Sequence, residues 1–307
     1  MRFAFTDDQL AFRDAVRELL ERECTPAHVR AAWTNDTGRV PGLWDQLTQM
    51  GIVGMLVPEA RGGMGMSMAD LVLLLEETGR TALPDPIVET AALGAALVDH
   101  AGQTLAAGHE LVPWADTADV IVTAEGRFDR ARAELVPRDS VDGARRVFEV
   151  RGTPEPLDAA ILRAAFVRGV IGTAAQQCGL AQRMLDMTAA YAKERRQFGV
   201  PIGSFQAVKH HLANARIALE FARPLVYRAA VTLDPVHASM AKSKADDAAL
   251  VTARAALQCH GAIGYTTEYD LHLYMKRAWA LARSMGDGQL HRDRVAGAVL
   301  EPRSMPA

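Results

Sequence analysis

The sequence has no block of lysine or arginine: 34 basic residues stand against 37 acidic ones, a formal net charge of −3 over 307 residues. That balance lacks the electrostatic footprint of a nucleic-acid binder, and no nucleic-acid partner is expected. No apolar run reaches the roughly 18 residues that a membrane span needs. The amino-terminal stretch MRFAFTDDQLAF carries two aspartates where a secretory leader needs a continuous apolar segment. Cysteine is scarce. Cys24, Cys178 and Cys259 form no C-x-x-C pair, which fits a reducing compartment, so a cytoplasmic location is the expectation. The nine histidines include no H-E-x-x-H spacing. His210 and His211 are adjacent, and on a helix they point about 100° apart, a poor chelate. No metal site is expected. The remaining composition, 49% hydrophobic and 23% charged, is that of a globular protein.

Three regions separate by pattern, and the fold class they imply is mainly α. Residues 1–112 read as helices with Gly/Pro punctuation. Thr6 followed by Gln9 resembles a capping box, LWDQLTQM reads as a helix stopping at Gly51, and SMADLVLLLEETGR reads as a buried helix closed by Gly79. Residues 113–156 form a middle β segment with three short strands, in DVIVTA, AELVPR and RRVFEV. Some 40 residues bury too little core alone, so this piece must lean on the helices, on a partner, or on both. Residues 157–307 are helical again. Val167, Ile171, Ala174, Cys178, Ala181, Leu185, Thr188 and Ala192 alternate steps of four and three. Val208, Leu212, Ala215, Leu219, Ala222, Val226 and Ala229 repeat the pattern, as do Ala238, Ala241, Ala245, Ala248, Thr252, Ala255 and Cys259. Such stripes predict an antiparallel bundle, and the third, almost all alanine, permits close helix approach. Asp234-Pro235 fits its N-cap and first position, and Gly261 its stop.

Two corners of this bundle carry more than a connection needs. AKERRQFGVPIGSFQAVKHH places Arg195, Arg196, Gln197 and Gln206 around a glycine between two helices. QCHGAIGYTTEY, residues 258–269, sets an amide at a helix end before two glycines. Arginine forks, amides and close backbone N–H groups are what a phosphate or pyrophosphate requires, and glycine permits the approach. Singly, each corner also fits a solvated turn or a helix stop.

With LVPEARGGMG (56–65), LEETGR (75–80) and RRQFGVPIGSFQAVKH (195–210) added to the 258–269 segment, the chain resembles the acyl-CoA dehydrogenase family over nearly its whole length. The resemblance implies a helical N-terminal domain, a middle β-domain and a C-terminal four-helix bundle. It implies FAD as cofactor and α,β-oxidation of an acyl-CoA thioester. In that family the two corners reach across a dimer interface to the ADP half of a flavin lodged mainly in the partner. By resemblance Arg195 would meet the pyrophosphate, Gln197, Phe198 and Gln206 would line the cofactor, and Gln258, Gly261, Ala262 and Gly264 would form the second loop. Ala262 replaces a glycine usual there and would narrow the backbone approach.

Two departures set the functional expectation. The family's long β-domain carries a Thr-Glu…Ala-Gly-Ser-Asp type segment around the flavin ring, and no such segment is present. The glutamate that many members use as base falls at Met285, in ARSMGDGQLHR. Methionine only fills apolar space. Relatives with the base on the first bundle helix have no match either, since AAFVRGVIG holds Arg168 and no acid. The chain thus resembles the short, base-less subunit of heteromeric actinobacterial acyl-CoA dehydrogenases of steroid side-chain degradation. The resemblance implies a full-length, glutamate-bearing partner, a heterotetramer, and an electron-transfer flavoprotein or similar acceptor. Room freed by the reduced middle would admit a bulky acyl group. The alternatives are a homomeric enzyme with a relocated acid, Asp287 or Glu268, and a non-catalytic scaffold.

Overall fold

The computed structural model describes residues 4–300. The amino-terminal helices are α1 (Asp7–Glu23), α2 (Pro26–Ala32), α3 (Leu43–Gln49) and α4 (Met68–Arg80). The capping box at α1 forms as the spacing predicts: Gln9 N–H donates to Thr6 Oγ1, and Thr6 N–H donates back to Gln9 Oε1. Helix α4 is buried on all sides from Leu71 to Gly79, as an interior helix must be. Its two buried glutamates each sit against an arginine. Glu76 accepts from Arg223 at 2.7 Å and from the Tyr227 hydroxyl at 2.8 Å, and Glu77 accepts from Arg17 Nε at 2.9 Å and Nη2 at 2.6 Å.

Gly79 does not stop this helix, contrary to the sequence reading; α4 runs on to Arg80. The glycine is there for contact. A Cβ on Gly79 would lie 2.2 Å from the Gln176 carbonyl oxygen, and one on Gly179 would lie 1.9 Å from the Glu76 carbonyl oxygen. The two backbones therefore touch directly.

The middle segment holds six short strands rather than three. β1 (Leu105–Ala107) pairs in parallel with β3 (Val120–Thr123), which pairs antiparallel with β4 (Gly126–Phe128). β2 (Val112–Pro113) and β5 (Glu134–Arg138) flank β6 (Val147–Arg151), both antiparallel. The first strand lies inside the stretch read as helical. Alternation gives the sheet two faces. Leu105, Ala107, Val120 and Val122 join the core of the helical domains, while Ala106, Ile121, Phe128 and Phe148 form a small core of their own. The segment leans on the helices, as its size requires.

The carboxy-terminal bundle comprises α5 (Ala159–Glu194), α6 (Gln206–Thr232), α7 (Pro235–His260), α8 (Leu271–Leu281) and α9 (Gly288–Leu300). All seven residues of the alanine-rich stripe on α7 are buried. Asp234 caps α7 by accepting from Val236 and His237 N–H groups. A π-helical stretch, Val88–Leu93, packs on α5, where Gly169 and Gly172 meet Leu93 and Val88.

The loop between α8 and α9 is pinned from three sides. Arg145 donates to Ser284 Oγ at 2.8 Å, His291 Nε2–H to the Met285 carbonyl at 3.1 Å, and Lys242 Nζ to the Gly286 carbonyl at 3.3 Å. Lys242 is wholly buried and also pairs with Asp246 at 2.5 Å. Burial pushes the Asp246 carboxyl up to about 6 and pulls the His291 imidazole down to about 4.

Two outcomes follow from these contacts. Gly179→Ala has no space for its methyl without moving backbone, and it should cost on the order of 1–3 kcal/mol in chemical denaturation. Burial lowers the His291 imidazole from 6.5 to about 4 on folding, so the unfolded chain binds that proton first and the His291 contribution to stability falls from pH 6.5 towards pH 4, against the opposite contribution of the raised Asp246 carboxyl. His291→Gln should remove the first contribution and raise stability near pH 4 relative to pH 7, compared with wild type, measured by urea midpoints across the range.

Candidate nucleotide clasp and the loop at Met285

Helix α5 ends because Arg195 turns to extended backbone, with φ −67 and ψ 124. The corner that follows is a β-hairpin rather than a plain turn: β7 (Arg196–Gln197) pairs antiparallel with β8 (Val200–Pro201). Phe198 and Gly199 at its tip both have positive φ, 51° and 81°, the signature of the I′ turn that matches strand twist. The Ile202 N–H donates to the Arg195 carbonyl at 2.8 Å and closes the corner. Helix α7 ends at Gly261, whose φ of 66 and ψ of −139 suit glycine alone.

These two corners meet. They line a cleft of about 500 Å³ with Arg195, Gln197, Gln258, Gly261 and Ala262 on its walls, a volume within the usual range of small-molecule sites. The other three residues named from sequence stand apart. Phe198 projects from the hairpin tip 91% exposed, Gln206 is exposed at the start of α6, and Gly264 is buried against Leu257 and His260. The cleft also includes Tyr191, Ile202 and His260, to which the sequence reading gave no role. Their signal was slight: a histidine between the amide and the glycine of the second corner, and a tyrosine one turn before Arg195.

His260 is buried, and its ring stacks on Tyr191 at 4.4 Å between centroids and meets Tyr269 at 4.7 Å. Its Nδ1 lies 2.8 Å from the Ala256 carbonyl. Its Nε2 is buried without a hydrogen-bond partner among the described residues. An exposed arginine, two amide side chains and a glycine with its backbone open to the cleft fit a polar ligand of the ADP kind.

The position of the usual base is closed. Met285 is 6% exposed, belongs to the main apolar core and carries a left-handed φ of 58°. Space beside Ser284 is filled from the middle segment. Arg145, itself buried, pairs with Glu89 at 3.1 Å and lies over the Trp114 ring. Asp142, three residues earlier, pairs with Arg277 in the core. The room expected from the shortened middle is therefore not open beside Met285. Neither relocated acid is placed as a base. Asp287 caps α9 by accepting from the Leu290 N–H, and this bond, with Arg283 beside it, holds its carboxyl below the usual range. Glu268 is exposed. Arg168 is half-buried, and burial lowers its pKa. Among the described residues no cluster of three or more His, Cys, Asp or Glu could hold a metal, and no helix is long and apolar enough to cross a membrane.

Comparison with known proteins agrees with this architecture. Residues 6–106 match "Acyl-CoA dehydrogenase, N-terminal domain", and residues 159–300 match "Acyl-CoA dehydrogenase, C-terminal domain". The acyl-CoA dehydrogenase IpdE2 of Mycolicibacterium smegmatis is 34% identical over 305 residues, covering 92% of this chain and 95% of that protein. Among solved structures, the Tcur3481-Tcur3483 steroid ACAD superposes with a TM-score of 0.86 at 23% identity, covering 96% of this chain and 98% of that one. The ChsE4-ChsE5 complex from Mycobacterium tuberculosis gives 0.85 at 23% identity, with 99% and 100% covered. The family's enzymes are FAD-dependent oxidoreductases acting on acyl-CoA. With both domains matched and a relative of the same length above 30% identity, this chain belongs to the acyl-CoA dehydrogenase family.

Proposed function

We propose that this chain is one half of a heteromeric, FAD-dependent acyl-CoA dehydrogenase. Its cleft clasps the ADP half of a flavin whose ring is held by a full-length partner subunit, and that partner supplies the catalytic glutamate. One observation carries the reading: the clasp lies at the carboxy-terminal end of α5, whereas the filled base position connects to the first half of that helix. The π-helical stretch bearing Glu89 packs on Gly172, and Arg195 closes the helix 23 residues later, about 35 Å along the axis. No single extended dinucleotide joins those two places within one chain. That separation supports a clasp that serves another chain's site.

When bound, FAD accepts the hydride from the β-carbon of the acyl thioester. The residues of this chain bind and orient. Arg195 supplies the charge-assisted contact for the pyrophosphate, and Gln197 and Gln258 supply amides that donate or accept. Gly261 and Ala262 bring the backbone close. Phe198 is a large apolar side chain that its own chain leaves uncovered, and Gln206 is exposed at the start of α6; both suit a surface completed by the partner and its cofactor. Steroid or other bulky acyl groups are the proposed substrate class, supported by the steroid enzyme among the structural neighbours. Since Arg145 and Trp114 occupy the space near Met285, the acyl group belongs on the partner's side. An electron-transfer flavoprotein or similar carrier would reoxidise the cofactor.

Two expected outcomes test this. Arg195→Ala in the assembled complex should weaken flavin retention about tenfold to a hundredfold, on the order of 1.5–3 kcal/mol, by equilibrium dialysis; unchanged retention would favour a scaffold role. Met285→Glu buries a carboxylate in an apolar core and should lower the denaturation midpoint. It should also leave the isolated chain without dehydrogenase activity. Activity gained by that variant alone would point to a complete site in this chain.

A further inference from the structure

A second cavity, of about 210 Å³, opens between the amino-terminal helices and the bundle and shares no lining residue with the nucleotide clasp. Three guanidiniums line it: Arg17 from α1, Arg80 from α4 and Arg183 from α5. The acids on its wall do not match them. Glu77 is buried and shared, with Arg17 Nη2 at 2.6 Å and Arg80 Nε at 3.4 Å. Arg80 turns a second nitrogen to Asp186 at 3.0 Å, outside the lining. Glu21 is on the wall but exposed, and it pairs with none of the three among the described residues. Arg183 is half-buried and has no carboxylate partner among the described residues. Its guanidinium is held 5.6 Å from the centre of the buried Tyr274 ring, and its Nε is covered without a hydrogen-bond partner. The terminal nitrogens are left as its accessible part. Cations gathered in partly dry surroundings repel one another unless an anion lies between them, and one shared carboxylate leaves Arg183 unanswered. The remaining wall is apolar, from Leu20, Cys24 and Pro26. Such a volume falls below the usual range for whole small-molecule sites, which limits the occupant to something small.

We propose that this cavity binds a small oxyanion, a carboxylate or phosphate group held by Arg183 together with Arg80 and Arg17, with any short apolar body against Leu20, Cys24 and Pro26. Its three cations come from α1, α4 and α5, so the bound anion ties the amino-terminal helices to the bundle. The site stands apart from the flavin reading and does not depend on it.

The test is isothermal titration calorimetry on the full chain with inorganic phosphate and with butyrate, and with chloride as the control for ionic strength. Wild type should bind phosphate or butyrate saturably, one ion per chain, and chloride not at all. The tighter of the two identifies the head group, and its addition should raise the urea midpoint as its concentration rises. Arg183→Met keeps the stem over Tyr274 and removes the charge, and it should weaken binding about tenfold or more. Arg183→Lys should recover part of that loss, because the charge returns without the planar fork. Arg195→Ala should bind the ion as wild type does. Absence of saturable binding by wild type overturns the proposal without any variant, as does binding that Arg183→Met retains in full. Binding that Arg195→Ala abolishes places the ion in the clasp, which overturns this site and leaves the reading of the clasp standing.

Discussion

The backbone contact between α4 and α5 is the constraint on which the molecule depends. At Gly79 and Gly179 a single methyl group would collide with the opposing main chain. At these two points the helices therefore meet with no side chain between them, a close packing that leaves their relative position little freedom. Around it the buried carboxylates of Glu76 and Glu77 reach α6 and α1 through Arg223 and Arg17. An unpaired charge there would be strongly destabilising, so these pairs specify which helices meet. With α5 set in this way, its 36 residues act as a strut that separates the two functional regions of the chain.

At the carboxy-terminal end of the strut the surface is open and polar; the region that packs on its first half is closed. Arg145, Glu89, Trp114 and Ser284 are tied to each other, and Lys242 and His291 hold the carbonyls of the Met285 loop. A loop built to carry a base would leave a carboxylate free to face substrate. Here the polar groups beneath the loop hold the loop itself, Arg145 at the Ser284 hydroxyl and Lys242 and His291 at its carbonyls. The family's chemistry needs a nucleotide clasp and a proton acceptor. In this reading the chain retains the first and has converted the place of the second into core, which makes a partner a structural requirement of the activity.

Much of this was legible before folding. The three stripes of the bundle, the Thr6–Gln9 cap, the Asp234 cap and the glycine stop at Gly261 are local or periodic features, and each formed where its pattern put it. Both clasp corners were recognisable because arginine, amide and glycine cluster within a few residues. What escaped depends on distant partners. Gly79 looks like a stop because a glycine near a helix end usually is one, and only Gln176, almost a hundred residues away, reveals the contact. β1, β2 and β4 are two or three residues long, and Leu-Ala-Ala has no β-branching to mark it. The burial of His260 arises from two tyrosines brought to its ring by other elements, and the filling of the Met285 region arises from an arginine 140 residues earlier.

The most direct measurement is flavin absorbance per polypeptide, taken on this chain alone and on the complex with its glutamate-bearing partner. The account predicts a colourless or nearly colourless isolated chain and one flavin for each pair of unlike subunits. A yellow, stoichiometrically loaded and catalytically competent homodimer would contradict it.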